Sequence, residues 1–311
     1  MVAAFPAGAV GPPLEEMGHP FKNKDLAVEW RLQTSLPASL NSYKVGKATW
    51  SSQFLSNMVA LGDFKNPRGI LKQLSPALNG HDVMVTDDAP QNSRKTIVAN
   101  PSRGRVYLVQ EGVKALPREA EEGVPTEEKV LESTLKLLAT LGISKDELRR
   151  KQNTNDLFVM RDVTTHTRRD KATGTMAKRV IARGVFLFRQ VDGIGIAGRG
   201  MCGGLHINYG NQGRIAELEL VWRNLHSPRS VPTVDTNQLT KWIRQGKATI
   251  ETEEDPSAIT RLTITNATVF YFGNNGSDFQ SRMLPFVNLG AAAEVGRRKV
   301  NVSVNAPIVA D

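Results

Sequence analysis

Four polar residues in the middle of the chain have the types and spacing that acid–base chemistry requires. His206 alternates with apolar neighbours in "GGLHINYG", and Glu217 and Glu219 alternate with leucines in "IAELELVW". The two carboxylates would lie on one face of a strand about 7 Å apart, a separation that suits proton transfer. Together with Arg189 in "FLFRQ", they are the catalytic candidates if the protein is an enzyme. The same alternation is typical of an ordinary solvated sheet face, which is the alternative interpretation.

The sequence lacks the motifs of several other catalytic and cofactor-dependent classes. None of the five histidines has a "G-x-S-x-G" nucleophile elbow beside it, and neither "H-E-x-x-H" nor "H-x-H" occurs. Cys202 is the only cysteine, so an intramolecular disulfide and a cysteine-based metal cluster are both excluded. We therefore predict neither a cofactor nor a bound metal.

One glycine-rich segment matches the spacing of a nucleotide-binding loop. Gly193, Gly195 and Gly198 in "VDGIGIAGRG" have the Gly-x-Gly-x-x-Gly spacing, which binds a pyrophosphate only where a helix follows. The residues that follow instead alternate between apolar and polar around a "GNQG" turn, a pattern typical of antiparallel strands. We therefore predict a glycine-rich connection between two antiparallel strands.

Length and charge limit the domain count and the partners. A chain of 311 residues predicts two or three compact units, and its net charge of +9 favours anionic partners. Residues 161–183 are locally basic and indicate two strand edges joined by a solvated loop. No arginine–glycine repeat, RNA-binding aromatic signature or zinc-finger spacing accompanies them, so nucleic acid is the least favoured partner. No run of eighteen apolar residues occurs, and we predict no transmembrane segment.

Helical patterns precede strand patterns along the chain more than once. Two predicted helices begin at cap candidates and end at glycines, Thr49 or Ser51 to Gly62 and Thr126 to Gly142, and a third, shorter helix within residues 235–249 ends at Gly246. This order predicts an α+β fold of repeated helix-plus-antiparallel-sheet modules with curved sheets. We expect a flexible N-terminal arm at 1–25 and modules at 26–120, 121–230 and 231–311.

Three segments carry a resemblance to a known family: "TEEKVLESTLKLLATLGIS", "VFLFRQVDGIGIAG" and "INYGNQGRIAELELVWR". They resemble the PepSY-like, propeptide-like modules of secreted or membrane-proximal bacterial proteins, including regulatory proteins of the YycH/YycI type. The resemblance covers roughly residues 120 to 310 and implies a PepSY/cystatin-like fold. It also implies that Asp192 and Gly193 form a turn between strands, with Gly193 and Gly198 supplying positive φ or room for a close backbone. Such modules act as propeptides, inhibitors, sensors or folding aids, and no catalytic residue comes with the pattern.

These observations favour a non-enzymatic binding or regulatory protein that contacts a protein or peptide through sheet edges or a concave face. The resemblance implies export, with the apolar, proline-rich first 20 residues as the end left after signal removal; a cytoplasmic location is the alternative, because these residues lack a basic leader. The alternative is a cofactor-independent enzyme whose curved sheet encloses a small hydrophobic ligand beside the four candidates. A third, weaker hypothesis is an anion or nucleic-acid binder acting through residues 161–183.

Overall fold

The computed structural model describes residues 19–114, 123–152, 154–169, 174–198, 201–273 and 280–309. Across these residues the α-helices are α1 (Ser52–Leu61), α2 (Pro67–Leu74), α3 (Glu127–Thr140) and α4 (Thr236–Gln245). The strands are β1 (His19–Pro20), β2 (Ala27–Trp30), β3 (Ser39–Gly46), β4 (Val83–Thr86), β5 (Lys95–Asn100), β6 (Arg105–Gln110), β7 (Val159–Arg169), β8 (Met176–Phe188), β9 (Gln190–Val191), β10 (Ile194–Ala197), β11 (Gly204–Tyr209), β12 (Ile215–Val221), β13 (Asn224–Pro232), β14 (Thr249–Glu251), β15 (Ile259–Phe272), β16 (Arg282–Met283), β17 (Pro285–Val295) and β18 (Arg298–Pro307). Helices combined with curved, largely antiparallel sheets confirm the predicted α+β class.

The described chain divides into two compact units built from interleaved segments. Unit 1 takes its residues from 1–45, 194–202 and 225–311, and unit 2 from 46–193 and 203–224. This division differs from the three consecutive modules expected at 26–120, 121–230 and 231–311, because β6 pairs with β12 in one sheet. The expected arm at 1–25 lies mostly outside the described residues, but His19–Pro20 pairs with β14.

The core of unit 2 is one antiparallel sheet covered by three helices. Its strand order is β4-β5-β6-β12-β11-β8-β7. Alternate strand residues, including Ile97, Leu108 and Leu218, are fully buried against apolar residues of α1, α2 and α3. Helix α3 begins as predicted, because the Thr126 side chain accepts a hydrogen bond from the Lys129 amide. Every second residue of these strands therefore lies on the opposite face, away from the helices.

Helix α2 was not predicted, although its start carries the usual signals. The Asn66 side chain accepts a hydrogen bond from the Gly69 amide, and Pro67 occupies the first turn. The helix has only eight residues, of which Ile70 and Leu74 are buried. Two buried positions are too few to establish a helical period in the sequence.

Unit 1 combines one larger and one smaller sheet with helix α4. Strands β1, β14, β18, β17 and β15 pair in that order, and β2 and β10 each pair in parallel with β15. The small sheet has the order β13-β3-β16. Helix α4 starts at an Asp235 cap, ends at Gly246 with φ 81° as predicted, and packs against β18. The predicted C-terminal hairpin is β17–β18.

The glycine-rich segment is a turn and a strand instead of a phosphate-binding loop. Asp192 and Gly193 have φ values of 53° and 74°. The backbone at Gly198 approaches Gly273 so closely that a Cβ atom would lie 2.0 Å from the Gly273 carbonyl oxygen. Strand β11 begins at Gly204, where the nucleotide motif would need a helix. The expected roles of Gly193, positive φ, and of Gly198, close backbone approach, are confirmed.

Candidate functional site

Side chains from neighbouring strands form a polar cluster on the face of the unit 2 sheet that lies away from the helices. The strand register places Glu219 directly opposite both His206 and Tyr107, and His206 opposite Phe186. Glu217 lies two residues before Glu219 on the same face. The polar cluster consists of Arg105, Tyr107, Asp162, His206, Asn208, Glu217 and Glu219. Three of the four residues singled out from the sequence are thus brought together.

His206 is held by one carboxylate and one aromatic ring. Its imidazole stacks on the Phe186 ring with 3.9 Å between centroids and 5° between planes. Its Nε2 lies 3.0 Å from Asp162 Oδ2 and 3.2 Å from the side-chain amide of Asn208. Both contacts are made by Nε2, and Nδ1 has no hydrogen-bond partner among the described residues. An oriented imidazole with a free ring nitrogen can act as a general base.

Both carboxylates of β12 are engaged by residues of β6. Glu219 Oε1 lies 2.9 Å from Arg105 Nε. The two side chains form an ion pair, but the Nε–H bond of Arg105 does not point at the carboxylate oxygen. The Tyr107 hydroxyl donates to Glu217 Oε1 at 3.2 Å. Burial and the neighbouring Glu217 raise the pKa of Tyr107 to about 12, so its hydroxyl stays protonated and remains a donor. These pairings leave neither carboxylate without a partner.

Arg189, the fourth candidate, lies apart from this cluster in contacts that tie a loop to the sheet. Its guanidinium lies 4.7 Å from the centre of the Trp222 ring and donates to Glu147 Oε2 at 2.9 Å. It also donates to the Arg223 carbonyl oxygen at 2.6 Å, and Trp222 donates to the same Glu147 oxygen at 3.2 Å. Burial lowers the pKa of Arg189, and the Glu147 carboxylate opposes that effect. The geometry therefore places Arg189 in a structural ion pair.

A cleft of about 600 Å³ lies between α3, residues 145–157 and strands β7 and β8. Its apolar lining is provided by Val130, Leu131, Leu135, Leu157, Val159, Val163 and Val185. Charged side chains line it as well, and Arg161 Nη1 lies 2.6 Å from Glu127 Oε2. Asp162 and Gly184 also belong to the lining, but strand alternation places the Asp162 side chain with His206 on the opposite face of the sheet. This cleft has no signature in the sequence, because helix and strand meet there only in the fold.

Strand β7 is an edge of the unit 2 sheet beside this cleft. In the described sheet it pairs with β8 alone, which leaves the backbone groups of its outer edge without a strand partner. Its Met160 and Val163 side chains are 48% and 43% exposed and project from opposite faces. Strand β4 forms the other edge, and its Met84 is 71% exposed. Both ends of the sheet therefore present apolar side chains, but only β7 adjoins the cleft.

Metal ligands, membrane-spanning helices and the cysteine complete the description of the site. Within the described ranges, no group of three or more His, Cys, Asp or Glu side chains is placed to hold a metal ion. No helix in that part of the chain combines the length and apolar character needed to cross a bilayer. Cys202, the single cysteine of the sequence, is buried with 6% exposure.

Comparison with known proteins gives no functional information. No family model matches the chain, and no curated protein matches it. A crystal structure of an uncharacterised protein from Eubacterium rectale ATCC 33656 is similar over 91% of this chain and 88% of that chain, with 10% sequence identity and a TM-score of 0.39. A likeness at this level carries no argument about activity. Function therefore has to be argued from the residues themselves.

Proposed function

We propose that the protein is a peptide-binding protein that receives an extended segment of a partner protein along β7 and the adjoining cleft. The observation that carries this proposal is an edge strand with no second strand partner in the described sheet, with exposed apolar residues beside a cleft that seven Val and Leu side chains line together with charged residues. Addition of a peptide strand to a sheet edge gives affinity through main-chain hydrogen bonds and specificity through pockets for alternate side chains. The volume of the cleft also falls within the range of about 300–1,000 Å³ that is usual for ligand pockets.

The arrangement of the cleft determines which peptide would fit. A strand added beside β7 projects every second side chain toward the helix side, at intervals of about 7 Å. On that side it meets Val159 and Val163 of β7 and Leu131 and Leu135 of α3. The intervening side chains lie on the other face near Met160. An extended segment with apolar residues at every second position would therefore place those residues against the apolar side chains on the helix side.

Two further considerations support a binding role over catalysis. Glu217 and Glu219 already have partners on β6, so neither is held ready for proton transfer. The resemblance of residues 120 to 310 to PepSY-like modules, which act as propeptides, inhibitors or sensors, supports contact with another protein.

The test is binding of the labelled chain to an array of ten-residue peptides, some with alternating apolar residues and some with the same composition scrambled. Peptides that bind are then titrated by fluorescence anisotropy against Met160→Glu and Met84→Glu. The two variants make the same substitution on the two edge strands of one sheet. We expect Met160→Glu to weaken binding at least about tenfold, since one charge excluded from an apolar contact costs about 1.4 kcal/mol or more. Met84→Glu should leave binding unchanged. Equal binding of scrambled peptides, or equal losses in both variants, would refute the proposal.

A second candidate function, an acid–base enzyme with a small hydrophobic substrate, is favoured by the Asp162–His206 pair. His206 Nδ1 has no hydrogen-bond partner among the described residues, so a molecule bound beside the polar cluster could lose a proton to the imidazole. A thermal-shift screen of small metabolites tests this function, with His206→Ala run alongside. A stabilising molecule whose effect disappears in His206→Ala supports the enzyme. A screen without such a molecule, combined with peptide binding, excludes it.

A further inference from the structure

The positive charge of the chain is concentrated in one hairpin. Residues 161–183 contain seven basic and two acidic residues, a net charge of +5 out of +9 for the whole chain. They make up 23 of the 311 residues. The net positive charge per residue is therefore far higher in this hairpin than in the rest of the chain. Whether these charges lie on one surface depends on the fold.

Strands β7 and β8 continue together beyond the rest of their sheet. Strand β11 accompanies β8 only from Phe188 to Arg183. Beyond that point β7 and β8 pair with each other alone, from Thr165 opposite Val180 to Arg169 opposite Met176. We call residues 164–169 and 176–182 the basic ribbon. At about 3.3 Å per residue, its seven residues of β8 extend about 20 Å.

The outer part of the basic ribbon is exposed and cationic on both faces. His166 lies opposite Arg179 on one face, while Lys178 and Arg169 lie on the other. Residues 166, 167, 169 and 176–179 are all exposed. The ribbon contains no acidic and no aromatic residue. Only its base is packed, where Val180 and Ile181 contact Val124.

We propose that the basic ribbon binds the phosphate backbone of double-stranded DNA by entering the major groove. That groove is about 12 Å wide and admits a two-stranded β-ribbon, whereas the major groove of duplex RNA is too narrow for side chains to read. Without aromatic residues the ribbon has nothing on which the bases of a single strand could stack. Cations on both faces can contact the phosphates on both sides of a groove. This activity goes beyond the proposed peptide binding and is independent of it.

The number of contacts sets the expected salt dependence. Arg169, Lys178 and Arg179 supply about three phosphate contacts, which predicts a slope of log K against log salt of about −2.7. Affinity should accordingly fall about 40-fold between roughly 50 and 200 mM salt. Removal of two cations should lower the magnitude of the slope by about two.

The experiment measures binding of the full chain to a fluorescein-labelled DNA duplex of mixed sequence by anisotropy over that salt range. The test variant is Lys178→Gln with Arg179→Gln. The matched control is Lys24→Gln with Lys241→Gln, which removes the same charge from unit 1. We expect the slope to fall in the test variant alone, with affinity at the lowest salt reduced at least about tenfold. Circular dichroism and the Tm of both variants should match those of the parent, since residues 178 and 179 are exposed.

Three outcomes would overturn the proposal. Equal losses of duplex affinity in the test and control variants would show that the DNA responds to the net charge of the protein and does not bind the ribbon. Binding to the corresponding single strand as tight as to the duplex would exclude groove entry. Tighter binding to vesicles rich in phosphatidylserine than to the duplex would assign the ribbon to a membrane surface.

Discussion

The contacts of Arg189 predict an unequal response to removing either member of its ion pair with Glu147. The Arg189 side chain is 11% exposed and the Glu147 side chain 39% exposed. Glu147→Gln leaves a buried cation without its counter-ion, and loss of one partner from a fully buried pair costs about 3–5 kcal/mol. Because Glu147 is partly solvated and Gln can still accept a hydrogen bond, we expect a loss of about 2 kcal/mol in the free energy of unfolding.

The opposite substitution, Arg189→Met, should be milder. It removes the cation together with a buried Nε that has no hydrogen-bond partner among the described residues. Met retains an apolar contact with Trp222, and the carboxylate left behind is accessible to water. We therefore expect a cost of about 1 kcal/mol, mainly from the hydrogen bond lost at the Arg223 carbonyl oxygen.

Urea unfolding at neutral pH, followed by tryptophan fluorescence, measures both values. Arg161→Met serves as the control, because its ion pair with Glu127 is more exposed and its loss should cost no more than about 0.5 kcal/mol. If Arg189→Met costs more than Glu147→Gln, the argument from burial is wrong. If both variants resemble the control, the ion pair does not stabilise the fold.

Two further variants test other contacts of the fold. In Tyr107→Phe the free energy of unfolding should fall less between about pH 9 and 11.5, because burial and Glu217 raise the Tyr107 pKa to about 12 from an ordinary value near 10. The contribution of Tyr107 to stability is complete below pH 10 and is lost as the pH rises through 12. It should amount to about 1 kcal/mol, because the site is partly exposed. If urea titrations show that the parent and Tyr107→Phe lose the same stability over this pH range, the prediction is wrong. Gly198→Ala should cost at least about 2 kcal/mol, because its Cβ would meet the Gly273 carbonyl oxygen, whereas Gly290→Ala, with 3.4 Å of clearance, should cost less than about 1 kcal/mol in the same assay.

The features that the sequence predicted are those that local residues determine. Helices α1 and α3 start at Ser51 and Thr126, whose side chains accept hydrogen bonds from the amides three positions on. Alternation in β11 and β12 correctly placed His206, Glu217 and Glu219 on one face. Alternation does not identify the neighbouring strands, so it cannot predict which residue of a neighbouring strand each side chain contacts.

The residues that sequence reasoning missed are distant in the chain from those they contact. Asp162 meets His206 across 44 positions, and Tyr107 meets Glu217 across 110. These contacts depend on β8 lying between β7 and β11, and on β6 pairing with β12. Arg189 ends the strand pattern of residues 179–190, which predicts a place on the sheet near His206, but its side chain packs on Trp222 instead. Pairing over such separations is a tertiary property without a local signal.

The two proposed surfaces occupy different parts of β7 and are separable by electrostatics. Val163, beside the cleft, and Arg169, in the basic ribbon, are six residues apart, or about 20 Å along an extended strand. That distance exceeds the Debye length of about 8 Å at physiological salt, so a charge placed at one surface is largely screened at the other. Met160→Glu should therefore leave DNA affinity unchanged, and Lys178→Gln with Arg179→Gln should leave peptide affinity unchanged. If either variant impairs both activities, β7 presents one continuous surface to one partner, and the ribbon's cations then belong to the peptide site.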